Sequence, residues 1–360
     1  MDAFRRVVRW SLGAALAVVW GVASPAAGQA VADPLYVCIQ DEARIAVIDM
    51  ATGALVRTID LTELGFSANA KPHHIVGEPD GAHWYVSLIG ENRVIKLDAG
   101  GRVVGQAEME TPGMLALLPG EGVLAVSRSM SAVNPPSSVG VARLPSLDFD
   151  ELDVIFSRPH PMVATSSGYV YSGSLGESRL AALDLASESV TLTDIPGGPH
   201  ALVQYAVSPD GRTLVAATEL SGQLLVFDLA TPERPELLTS VDIGPMAFDP
   251  AFTADGTAVW VPVKGANEVA IVETTGWTVV HRIRHDALRQ PHAIAFSRDG
   301  SRAFVSNNNT PDHMAGGGHA AHGEEGAGIA SLVVIDVTSH EVTNAIPLGR
   351  NLTGMGVRVP

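Results

Sequence analysis

The sequence predicts an all-β chain of four-stranded blades closed into a seven-bladed β-propeller, and three observations carry that prediction. A four-strand pattern repeats about every 40–45 residues, the length of one antiparallel blade. Asp-Gly pairs recur at one place in the repeat, at Asp80-Gly81, Asp210-Gly211, Asp255-Gly256 and Asp299-Gly300, where a hairpin needs positive φ. The two ends carry complementary fragments: strands two to four open the chain, and a lone first strand at 354–359 closes it. Pairing that innermost strand with the N-terminal blade completes the ring.

Taken in order, the chain begins with a segment outside the fold. Arg5, Arg6 and Arg9 form a basic region, 11–23 is an apolar run, and small residues follow, so residues 1–32 are expected to be an export signal cleaved after Gly28, Ala30 or Ala32. The run is shorter than the roughly 20 apolar residues that span a bilayer, so no membrane span is expected once it is removed. The destination is then the periplasm or the exterior, and Arg5-Arg6 is similar to the pair of a twin-arginine signal, which implies export of a folded protein. Residues 33–360 are expected to form one propeller.

Within it, Leu35-Tyr36-Val37, Ile45-Ala46-Val47-Ile48-Asp49 and Leu55-Val56-Arg57-Thr58-Ile59 are strands two to four of the first blade. In later copies a Pro-His or Pro-Met phrase opens strand one and a turn follows. Strand two comes next (Trp84-Tyr85-Val86, Val259-Trp260-Val261), and strand three ends in an acid (Leu97-Asp98, Phe227-Asp228, Ile335-Asp336). The net charge of −16 argues against nucleic acid or an anionic membrane surface as partner. Cys38 is the single cysteine, so the chain has no internal disulfide, and its strand position predicts a buried thiol.

The phrases opening strand one carry the chemistry. They are Pro72-His73-His74, Pro112-Gly113-Met114, Pro159-His160-Pro161, Pro199-His200-Ala201, Pro245-Met246-Ala247 and Pro291-His292-Ala293. If they are equivalent, His73, His160, His200 and His292 surround the propeller axis, with His74 beside them and Met246 in the same slot of the sixth blade. Imidazole and thioether side chains bind transition metals, copper foremost, with iron or zinc as alternatives. A His/Gly-rich insertion at 307–330 in the last blade adds His313, His319 and His322, and such tracts capture copper, zinc or nickel. Strand alternation puts this insertion, between strands two and three, on the same face as the Pro-His phrases.

Tyr36-Val37, Tyr85-Val86-Ser87, Pro209-Asp210-Gly211 and Phe304-Val305-Ser306-Asn307-Asn308 resemble the YVTN-repeat family of bacterial propellers over nearly all of the mature chain, which implies the fold and leaves activity open. His73-His74 with Asp80-Gly81, Tyr85-Val86 and Asn92-Arg93-Val94 resembles one blade of nitrous oxide reductase, whose propeller holds a multi-copper cluster on histidines. This chain lacks that enzyme's cupredoxin domain and has fewer channel histidines. A ring of four histidines is also similar to the iron site of carotenoid-cleaving oxygenases. The leading expectation is an exported propeller with an axial His/Met metal site for redox chemistry or metal handling. As an enzyme it would be a metal-dependent oxidoreductase served by an external electron donor or acceptor. The alternative is a binding propeller that recognises a protein or cell-envelope ligand on the histidine face. A hydrolase or lactonase is a third reading; it needs an acid–base pair at the mouth, where the ring phrases offer only Asp249.

Overall fold

The computed structural model describes residues 31–358 apart from 119, 130, 132 and 311–327. The expected export signal therefore lies outside the described residues except at its end, and so do His313, His319 and His322.

Seven four-stranded antiparallel sheets form the blades of a β-propeller. Blade one joins Leu352–Gly356 to Pro34–Ile39, Arg44–Asp49 and Ala54–Asp60, with Tyr36 opposite Gly356 and Ile39 opposite Leu352. The C-terminal strand thus closes the ring as the complementary ends predict. Blades two to seven open on Pro72–Gly77, Pro112–Leu118, Pro159–Ala164, Leu202–Val207, Ala251–Phe252 and Pro291–Phe296. Helical structure among the described residues is limited to three short 3-10 turns, Gln40–Glu42, Ile89–Glu91 and Lys264–Ala266.

Local chemistry explains the repeat. In the four Asp-Gly turns the aspartate accepts a hydrogen bond two residues on, from Ala82, Arg212, Thr257 and Ser301 N–H, while the glycine takes φ near +70°. The acids ending strand three cap the next turn likewise: Asp49, Asp228 and Asp336 accept from the N–H two residues on, those of Ala51, Ala230 and Thr338, and Asp98 accepts from Arg102 N–H four residues on. These carboxylates are turn caps, which is why the acid recurs.

Packing runs between neighbouring blades. Tyr36 and Ile45 of blade one meet Trp84 and Ile95 of blade two, with the Tyr36 and Trp84 rings 4.0 Å apart. Trp260 plays the same part between blades six and seven. Cys38 is buried and its thiol is pushed far up by burial, so it is a core residue.

Candidate functional site at the mouth of the propeller axis

One backbone device repeats in all seven blades. The residue before strand one takes a left-handed conformation, at Lys71, Thr111, Arg158, Ala201, Gln290 and Asn351, and in blade six Met246 does so just before the isolated Ala247–Val263 bridge that leads into Ala251–Phe252. The next residue pairs with the end of strand two: Pro72 with Leu88, Pro112 with Arg128, Pro159 with Ser174, Leu202 with Thr218, Ala247 with Val263, Pro291 with Asn307 and Leu352 with Ile39. A bulge follows, after which pairing resumes one residue out of step. Bulges redirect side chains, and here each blade aims one at the same slot. Its occupants are His73, Gly113, His160, Val203, Phe248, His292 and Thr353.

Three of the expected histidines therefore share a slot. His200 and Met246 do not, and this corrects the expected equivalence. His200 precedes the left-handed residue Ala201, and Met246 is itself the left-handed residue of its blade. Strand pairing sets the register. Pro199 and Pro245 fall three and two residues ahead of the paired positions Leu202 and Ala247. His200 commits both ring nitrogens, Nε2–H donating to Pro196 O at 3.0 Å and Nδ1 accepting from Ser221 Oγ at 2.8 Å.

His73 and His160 come together across blade three, their ring centroids 6.0 Å apart and their planes at 70°. Gly113 fills the intervening slot without a side chain; a Cβ there would stand 2.7 Å from Ser127 Oγ. His160 Nδ1 donates to Val203 O at 2.6 Å, so the lone pair is on Nε2. His73 Nδ1 meets Gln40 Oε1 at 3.1 Å, which puts its lone pair on Nε2 as well. Burial pushes His160 down to about 4, with the Val203 carbonyl opposing and Arg158 adding to the effect. His74 points its Nδ1 the other way, accepting from Leu115 N–H at 3.2 Å, and burial with His160 nearby pushes it down to about 3. His74 and His160 are thus neutral imidazoles at physiological pH.

His292 stands on another side of the axis, its ring 5.0 Å from Phe248 and its Nδ1 3.8 Å from Asp249 Oδ2. Among the described residues no three His, Cys, Asp or Glu side chains converge as a metal cage. The His/Gly-rich insertion leaves and returns at this rim: Thr310 N and Oγ1 donate to Gln290 Oε1, and Asn309 Nδ2 donates to Ile329 O.

A second set of mouth residues has no counterpart in the sequence-based expectations. The residue after strand two donates its N–H to the carbonyl of the left-handed residue: Gln40 to Asn351, Glu219 to Ala201, Lys264 to Met246 and Asn308 to Gln290. Glu219 and Lys264 thereby join Asp249 at the mouth. Burial pushes the Asp249 carboxyl up to about 8 against the pull of Lys264, and pushes Lys264 down to about 8 against Glu219 and Asp249. Glu219 is raised by burial, with Lys264 and Arg158 opposing. The signal for these residues was their place directly after strand two, and it becomes visible only once the blades are in register.

No protein-family model matches the chain, and no curated protein sequence matches it. Solved structures do. A functionally unknown protein from Desulfotomaculum acetoxidans has a TM-score of 0.69 at 15% identity, covering 91% of this chain and 99% of its own. Hydrazine synthase of Kuenenia stuttgartiensis has 0.62 at 18%, covering 79% and 88%. Dihydro-heme d1 dehydrogenase NirN, solved with DHE, has 0.59 at 13%, covering 89% and 74%. At these identities the likeness is one of fold.

Proposed function

We propose that the chain is an exported propeller that binds a transition metal, copper foremost, at the mouth of its axis through Nε2 of His73 and His160. The observation that supports this reading is the meeting of these two rings over Gly113, each with its Nδ1 engaged by an acceptor. Second-sphere acceptors of this kind fix the tautomer and raise the basicity of a ligating imidazole. A nitrogen donor set without thiolate suits copper, zinc or iron, and copper heads the affinity order for such sites. His313, His319 and His322 belong, by sequence, to the segment between the tethered residues Thr310 and Ile329, so they are proposed as auxiliary donors. Bound metal would supply redox capacity or a capture site. In the redox case an external electron donor or acceptor is the proposed partner, docking on this same face. Membership of the YVTN-repeat family is part of the proposal and rests on the phrases quoted above.

Metal content of untagged protein, purified from its native export compartment, tests the reading. Near-stoichiometric copper, iron or zinc is expected in wild type and in His200→Ala, and loss is expected in His73→Ala/His160→Ala with the fold retained. Absence of metal from folded wild type, even after loading with each ion, would refute it. Retention of metal by the double variant would place the site elsewhere. N-terminal sequencing of the same material tests export, with the mature chain expected to start at 29, 31 or 33.

A further inference from the structure

At the mouth, blades five and six hold three ionisable groups that the metal reading does not use. Asp249 is buried, with nine-tenths of its side chain covered, and its Oδ1 has no hydrogen-bond partner among the described residues. Its backbone is pinned: Asp249 N–H donates to His292 O, and the residue bridges Ala293 of blade seven. The Lys264 ammonium lies 4.7 Å from the centre of the Phe248 ring, a cation–π contact, and forms no ion pair or hydrogen bond among the described residues. The Glu219 carboxylate likewise has no hydrogen-bond donor there. Buried polar atoms are paired in the great majority of proteins, so a buried Asp249 Oδ1 without a donor, beside the half-buried Lys264 and Glu219 and with only His292 Nδ1 3.8 Å from its Oδ2, marks a place where a ligand supplies the partner.

We propose that Lys264, Asp249 and Glu219 form a binding site for a small monoanionic carboxylate, with Lys264 pairing its charge and the Asp249 carboxyl donating a hydrogen bond to it. The charge balance selects this class. Asp249 is held protonated by burial, so it acts as a donor, as a carboxylic acid in an apolar site does. Lys264 and Arg158 set two positive charges against one on Glu219, which leaves a single charge to neutralise. A dianionic phosphate overshoots that balance, and an ammonium ligand meets two cations. The proposal does not rest on the metal reading.

Titration calorimetry on the full chain, with EDTA present, tests it. The probes are sodium acetate and sodium benzoate, compared with sodium phosphate and ethylammonium chloride at equal ionic strength. Saturable binding of the carboxylates is expected, weakened about tenfold or more in Lys264→Met and in Asp249→Val. Asp249→Asn keeps a donor and should bind like wild type. Glu219→Gln removes the opposing charge and should tighten binding several-fold, so it decides the matter even where Lys264→Met fails to fold. The proposal is overturned by folded wild type that takes up neither carboxylate, by phosphate or ethylammonium binding as tightly, or by weaker binding in Glu219→Gln. Because EDTA removes metal, failure here leaves the metal reading standing, and failure of the metal reading leaves this result unchanged.

Discussion

Replacing Asp249 by asparagine should abolish a pH dependence of stability that the wild-type mouth imposes. Burial raises this carboxyl from an ordinary 3.8 to about 8, so the folded chain holds a proton there that the unfolded chain releases. A group raised in this way contributes stability that is fully present below pH about 4 and lost as the pH climbs to about 8. That gap is roughly four pH units at 1.36 kcal/mol each, a ceiling of about 6 kcal/mol. The pull of Lys264 is already contained in that shift; relaxation and water reaching the ionised carboxyl lower the cost further, so about half, or ~3 kcal/mol, is the expected loss. Asparagine matches the protonated acid in shape and never ionises. Urea unfolding of both proteins should give similar stabilities at pH 4 and an Asp249→Asn variant more stable by ~3 kcal/mol at pH 8. Stability curves that run parallel across this range, or a variant less stable at pH 8, would show that Asp249 is ionised in the folded chain and that the burial argument fails.

Three further outcomes follow from the fold. Trp84→Ala empties the space between blades one and two and should cost about 3–5 kcal/mol by denaturant unfolding; a loss under about 1 kcal/mol would mean the interface re-packs without it. Ending the chain at Asn351 removes the strand that pairs with Pro34–Ile39, leaving a fully buried strand with an open edge, so the truncated protein should aggregate in size-exclusion chromatography where the full chain does not. Cys38 should be silent to a thiol reagent in the native state and titrate as one thiol per chain in denaturant; native labelling would contradict its burial.

Much of this architecture is legible in one dimension because its causes are local. Asp-Gly at the first hairpin and an acid at the end of strand three each satisfy a turn within two residues, so the blade repeat can be counted from them. The closing strand is legible for a related reason: a partial copy at each end makes one whole blade. Within the candidate site, His73, His160 and His292 fall where their Pro-His phrases place them, because in those blades the proline is the residue that pairs with strand two.

The same phrase misleads at His200 and Met246. There the residue opposite the end of strand two is Leu202 or Ala247, and pairing between strands, a contact of groups far apart in sequence, outranks the local motif. The cluster of Glu219, Lys264 and Asp249 lies beyond any local pattern, because it is assembled by adjacent blades and a bulge turned toward a common axis. Sequence alone determined the number of blades, their turns and their closure, since each is encoded within a few residues of itself. Tertiary structure decided which side chains and which charges meet at the mouth, since burial and register belong to the closed ring and to no single blade.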